Sequence, residues 1–155
     1  MKGNQRVVEF LNKAVLAETA AIDQYVINAA IYDNFGFGDL AKRAMKTAHE
    51  EMGHLHRFID RILFLGGAVK SGQMDAVFIG KDPDIQINND LDGEYRAVTL
   101  YNEAITVCTE VGDAGTKKLF EKILKDEERH SNYWETQKTL IKRIGLQNYL
   151  VEQVG

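Results

Sequence analysis

Glutamate and histidine recur in this chain at a spacing suited to holding metal ions. Glu51-Met52-Gly53-His54 and Glu127-Glu128-Arg129-His130 both read Glu-x-x-His, and a lone glutamate precedes each by 33 residues, Glu18 in the first case and Glu94 in the second. Every member of the second set lies 76 positions after its counterpart in the first. Helical residues three apart occupy neighbouring faces about 4.5 Å apart along the axis, so each motif can offer a carboxylate oxygen and an imidazole nitrogen to one side. Four carboxylates brought together repel one another and partly protonate unless cations join them. Two divalent ions would balance the four charges. A mixed oxygen and imidazole shell suits iron, manganese or zinc, and suits copper(I) poorly. Six protein ligands around two ions also leave positions open for oxygen or peroxide. A single Glu-x-x-His is readily explained as helix-surface residues; a duplicated set is not.

The elements that must position these residues read as helices. From about Arg6 to Asn34, Val7, Leu11, Ala14, Glu18, Ala21 and Tyr25 follow steps of four and three, the period of a helix facing a partner. Glu18 therefore falls within a buried stripe, where a lone carboxylate is costly unless paired or bound to metal. Asn34-Phe35-Gly36-Phe37-Gly38-Asp39 breaks the helix, with Asp39 expected to cap the next. The second helix is expected over about Leu40–Leu65, with Ala44, Ala48, Glu51, Leu55, Phe58, Ile62 and Leu65 inward and His54 beside that stripe. Glu18 and Glu51 are equidistant from the break, so an antiparallel hairpin brings them to the same height.

Residues 66–81 carry four glycines and lose helical periodicity for too long to be a tight turn. They read as a crossover along the outside of a bundle, with a short extended piece at Ala76–Ile79. Asp82-Pro83 reads as a cap followed by proline at the first helical position. In the third helix, about Asp84–Val111, Ile87, Leu91, Glu94, Val98, Tyr101, Ile105 and Cys108 keep the same steps. Val111-Gly112-Asp113 makes a turn midway between Glu94 and Glu127. The fourth helix, about Ala114–Ile144, aligns Phe120, Ile123, Glu127, His130, Trp134, Gln137 and Ile141 before Gly145 stops it. Residues 146–151 form a short terminal helix that must dock to be stable. Two short hairpins joined by a long connection predict an all-α, ferritin-like four-helix bundle with one long crossover and a short fifth C-terminal helix. Proteins of that architecture build metal sites from one glutamate on each of two helices and Glu-x-x-His on each of the others.

Composition narrows the field further. At 155 residues the chain is expected to form one domain over 1–155. A formal charge of −4 argues against nucleic-acid binding, which needs lysine and arginine to neutralise phosphates. No apolar run approaches the ~20 residues of a membrane span. The N-terminal residues lack a signal-peptide apolar core, and a single cysteine, Cys108, permits no intrachain disulfide. The expectation is a cytoplasmic protein with no membrane or nucleic-acid partner.

Several residues carry two readings. Tyr25 and Tyr101 are also 76 apart and lie two turns from Glu18 and Glu94. Either could pass an electron or bond a ligand, although core packing with a satisfied hydroxyl is the simpler role. Trp134 reads as packing, with electron donation as the alternative, and Cys108 as a small buried hydrophobe. His49 and His56 fall off the inward stripe. Met52 points about 100° away from Glu51, out of the core. An interface is the simpler reading, yet methionine sulfur also serves as an axial haem ligand, and a nearby two-fold axis would pair two copies.

Nearly end to end, the chain resembles the bacterioferritins. The likeness runs through Met1-Lys2-Gly3, Ala21-Ile22-x-Gln24-Tyr25, Glu51-Met52-x-His54, Arg61-Ile62-Leu63-Phe64-Leu65, Asp126-Glu127-Glu128-x-His130 and Gly145-Leu146-Gln147-Asn148-Tyr149-Leu150. The second Glu-x-x-His separates it from animal-type ferritins, and the lack of a Cys-x-x-Cys domain from rubrerythrins. The resemblance implies a di-iron site in which Glu18 and His54 bind one iron, Glu94 and His130 the other, and Glu51 and Glu127 bridge them. It implies a redox role for Tyr25 and places Met52 as the axial ligand of a haem b shared by two subunits. It further implies a homo-oligomeric shell of 24 subunits built from such dimers. There Fe2+ would be oxidised with O2 or H2O2, ferric mineral stored, and iron released with a ferredoxin reductant. Where some members carry an inner-surface histidine and aspartate, this chain has Lys46 and Glu50, which departs from that inner route. A di-metal oxidase or peroxidase that stores no iron, and a haem-binding or structural bundle without ferroxidase activity, are the competing readings.

Overall fold

A computed structural model describes residues 1–155. Its elements are α1 (Gln5–Asn34), α2 (Gly38–Phe64), α3 (Pro83–Val111), α4 (Ala114–Ile144) and the short α5 (Leu146–Val151). α1 packs antiparallel on α2, α3 on α4, and the two hairpins join mainly along α1 and α3. This is the expected four-helix bundle with one long crossover.

Local chemistry sets the helix ends. Asn4 Oδ1 accepts from the Arg6 amide at 2.9 Å to start α1. Asp113 Oδ1 accepts from the Thr116 amide at 2.9 Å to start α4. Gly112, at φ +75°, ends α3 in the left-handed region that a side chain would disfavour. Asp39 is not the cap of α2, contrary to expectation: the helix starts two residues earlier than expected, at Gly38, with Phe37 at the cap position and no side-chain bond there. The Asp39 amide instead donates to the Gln153 carbonyl at 3.0 Å, tying the start of α2 to the C-terminus. Asp82 occupies the cap position of α3 with Pro83 following it, but makes no side-chain cap bond.

Residues 65–82 cross over outside the bundle without forming a strand, so the expected extended piece at Ala76–Ile79 is irregular chain. Side chains of α1 and α3 satisfy its backbone in place of a sheet partner. Asn12 Oδ1 accepts from the Lys70 amide at 2.7 Å, Gln24 Oε1 from Phe78 at 3.0 Å, and Gln86 Oε1 from Gly80 at 2.5 Å. Behind these anchors lies a buried polar cage. The amides of Gln24, Asn28 and Gln86 all donate to Asp90 Oδ1, at 2.7, 2.9 and 2.9 Å.

Burial pushes the Asp90 carboxyl up to about 7 even though those three amides favour the anion. Because the folded pKa lies above the ordinary value, the Asp90 contribution to stability is complete below about pH 4 and is lost as pH rises through 7. Asp90→Asn should therefore gain stability relative to the wild type between pH 5 and pH 8, by about 1–3 kcal/mol. Thermal melts of the two metal-free proteins at both pH values check this; a constant difference contradicts it.

The apolar core forms two clusters. One gathers Val7, Leu11, Phe58, Ile62, Tyr101 and Phe120. The other gathers Tyr25, Leu40, Ile87, Leu91, Trp134 and Tyr149. Each fully buried leucine, isoleucine or phenylalanine contributes roughly 1.5–3 kcal/mol. The terminal helix docks into the second cluster through Tyr149, whose hydroxyl donates to Gln137 Oε1 at 2.8 Å.

The inward stripes differ in detail from the sequence reading. In α2, His54 is fully buried and Leu55 only partly so, because the 3.6-residue turn carries the stripe towards position 54. In α3, the same drift leaves Val98 and Ile105 half-buried while Ala104 and Val107 are inside.

Candidate metal centre

Glu18, Glu51, His54, Glu94, Glu127 and His130 come together between the two apolar clusters, all buried. Their ligand atoms fall into two groups. Glu18, Glu51, His54 and Glu127 form one, and Glu51, Glu94, Glu127 and His130 the other, the atoms of each group lying within 4.8 Å of one another. Glu51 and Glu127 belong to both. The imidazole rings are 6.3 Å apart, centroid to centroid.

The atoms are crowded in a way that suits a cation. His54 Nδ1 lies 2.8 Å from Glu51 Oε2 and 2.9 Å from Glu127 Oε1. None of these three buried atoms has a partner aligned as a hydrogen bond. Ligand atoms that converge without bonding one another fit metal ions in the shared space, and the carboxylate and imidazole set is one that iron, manganese or zinc accepts.

Electrostatics agree. Burial, then the Glu51 and Glu127 charges, hold the Glu18 carboxyl well above its usual range, and burial with Glu127 does the same to Glu94. Glu51 is also penalised by burial and by Glu94, but contacts from His130 and His54 bring it below the usual range. Burial alone would lower His54 and His130, yet the carboxylates around each ring raise them instead. Protons thus supply the positive charge that metal would supply, and metal binding must displace them.

Tyrosines close the site crosswise. The Tyr25 hydroxyl donates to Glu94 Oε1 and the Tyr101 hydroxyl to Glu18 Oε1, each at 2.5 Å. Each tyrosine thus serves the glutamate of the opposite helix, because α1 and α3 run antiparallel. Burial and the adjacent carboxylate raise both phenols. The symmetry breaks one layer out. Trp134 Nε1 donates to the Tyr25 hydroxyl at 2.9 Å. The counterpart of Trp134 in the first half is Phe58, which has no donor and packs on Tyr101 with centroids 5.5 Å apart.

A cavity of about 110 Å³ adjoins the four glutamates and both tyrosines, and the exposed crossover residues Asp75 and Ala76 also line it. On the side of α2 and α4, His54 Nε2 meets Asp126 Oδ2 at 2.9 Å and His130 Nε2 meets Glu50 Oε2 at 2.7 Å. Arg129 contacts both carboxylates. The sequence reading did not assign these outer partners. The signal was present, since Glu50 and Asp126 are also 76 apart. Asp90 was missed too, although it lies one turn before Glu94 on the same buried face. Met52 stands apart from the centre at 51 % exposure, on the outer face of α2 as expected. His49 and His56 are exposed, while Cys108 is buried with its thiol pushed up to about 11.

A crossover four-helix bundle with a buried, duplicated glutamate and histidine centre defines the ferritin-like class, and the model of the Ferritin-like domain matches residues 8–144. The chain is 41 % identical to a bacterioferritin of Rhodobacter capsulatus over 96 % of its own length and 92 % of the relative's. It is 38 % identical to a bacterial ferritin of Synechocystis sp. over 100 % of both chains. A bacterioferritin of Brucella melitensis is 36 % identical over 96 % of this chain and 92 % of its own. The chain belongs to the bacterioferritin family. None of its helices is long and apolar enough to cross a membrane.

Proposed function

We propose that this chain, acting as one domain, stores iron and oxidises Fe2+ at the buried centre before the ferric product is deposited inside an oligomeric shell. Iron storage follows from the family; the oxidation step rests on the two ligand groups that share Glu51 and Glu127. In this reading Glu18 with His54 and Glu94 with His130 hold one Fe2+ each, while Glu51 and Glu127 bridge. Two Fe2+ ions would then give two electrons to O2, which takes up two protons to leave H2O2, or to H2O2, which takes up two protons to leave two water molecules.

The chain's own groups prepare that exchange. Four buried carboxylates offset the charge of two Fe2+ ions and favour the additional positive charge of the ferric product. The imidazoles must be neutral at Nδ1 to bind, so loading releases protons and weakens as pH falls. Tyr25 is the candidate redox tyrosine, since its hydroxyl donates to Glu94 and accepts from Trp134, a pairing Tyr101 lacks. Haem b is assigned to Met52, whose exposure on α2 leaves it available to a second subunit. A shell of 24 chains, built from dimers that share haem, and a ferredoxin reductant for release complete the proposal. A cytoplasmic location is part of it.

Loading with Fe2+ under anaerobic conditions, admitting oxygen and then sizing the particle tests this reading. It predicts a particle of several hundred kilodaltons retaining iron far beyond the two ions of the centre. A small oligomer that keeps only about two irons per chain would instead favour a di-metal oxidase that stores none.

A further inference from the structure

We propose that Arg129 is a positioning residue for both imidazoles, acting through Glu50 and Asp126, and that it ties the two halves of the centre into one unit; this rests on the metal-centre reading above. Arg129 Nη2 donates to Glu50 Oε2 at 2.6 Å and to Asp126 Oδ1 at 3.2 Å. Those carboxylates meet His130 Nε2 at 2.7 Å and His54 Nε2 at 2.9 Å. One guanidinium nitrogen therefore closes a continuous chain from His54 through Asp126, Arg129 and Glu50 to His130.

The internal repeat isolates what is new in this arrangement. Glu50 and Asp126 are duplicated counterparts, whereas the counterpart of Arg129 in the first half is Gly53, which has no side chain. Two outer carboxylates thus share a single cation. A carboxylate on Nε2 fixes ring orientation and tautomer and leaves Nδ1 for metal. Both rings are buried, but the Glu50 and Asp126 side chains are 25 % and 34 % exposed. They stand at the water boundary, where only Arg129 holds them over the rings from outside. Both contacts come from Nη2, which carries two N–H donors, one for each carboxylate.

Charge alone predicts the opposite behaviour. A cationic side chain beside a site for divalent ions repels them, so removing it should tighten binding if it acts only as a charge. Removing a clamp should loosen binding, and loss of partners beyond the ligands typically costs 10–100-fold in metal affinity.

Titration of Co2+ into the metal-free protein, followed by its visible absorption, separates the two. For Arg129→Ala we expect both positions to weaken about 10–100-fold, with the ligand-field bands broadened. The Nε2–H protons of His54 and His130, followed by NMR in the metal-free protein, should exchange faster than in the wild type. Co2+ binding as tight as, or tighter than, the wild type would overturn the proposal, as would unchanged protection of both protons. If Arg129→Ala does not fold, Arg129→Met, which keeps the apolar stem and loses every donor and the charge, carries the same comparison: weaker binding supports the clamp, and affinity equal to or tighter than the wild type overturns it. Wild-type protein that takes up no Co2+ would count against the metal-centre reading itself.

Discussion

Alanine at both Glu18 and Glu127 should abolish Fe2+ oxidation, lowering the initial rate by at least about 100-fold, the scale on which loss of an electrostatic contact to the reacting centre is felt. Glu127 belongs to both ligand groups and Glu18 to only one. The pair of substitutions therefore leaves one position with Glu51 and His54 and the other with Glu51, Glu94 and His130. It also removes two of the four carboxylates that offset the charge of two ions. The bundle should survive, because the apolar clusters on either side of the centre are untouched. Losing Glu18 does leave the Tyr101 hydroxyl without its acceptor, at a cost of about 1–3 kcal/mol. Stopped-flow absorbance of ferric product, with circular dichroism as the folding control, reads the result. Unchanged oxidation would mean that the cluster is structural.

Haem binding should be lost entirely in Met52→Leu while the particle keeps its size. Leucine preserves the volume and apolar character of the side chain, so packing against another subunit changes little. It removes the sulfur, the only atom of this side chain able to ligate haem iron. Met45 lies seven residues earlier and is also exposed, at 37 % against 51 % for Met52, so this face of α2 offers an apolar strip outside the bundle. A haemin titration of the apoprotein, read by the low-spin spectrum after reduction, checks the outcome, with gel filtration beside it. A Met52→Leu protein that binds haem normally would refute the assignment.

Much of the centre could be read from spacing. Helix period placed Glu18, Glu51, Glu94 and Glu127 inside, and equal distances from each turn placed Glu18 level with Glu51 and Glu94 level with Glu127; the structure brings all four together. His54 was assigned to the edge of its stripe because a 3.5-residue approximation drifts over seven turns, and the structure puts it fully inside. Asp39 met the composition rule for a cap, but the Ala41 amide it would have served already donates to the Phe37 carbonyl at 3.0 Å, so the helix begins before it.

The chain's sequence alone determined the helices, the two hairpins, the crossover and which six glutamate and histidine side chains gather at the centre, since each follows from periodicity or from an internal repeat. It also carried the family resemblance that the relatives bear out. Contacts between helices were another matter. That Tyr25 reaches Glu94 rather than Glu18, that Gln24 and Asn28 reach Asp90, and that Arg129 reaches Glu50 all depend on the angle and separation of helices whose members are 62 to 79 residues apart in the chain. Periodicity fixes which face of a helix is buried. Only packing in three dimensions fixes which atom on the next helix that face will meet.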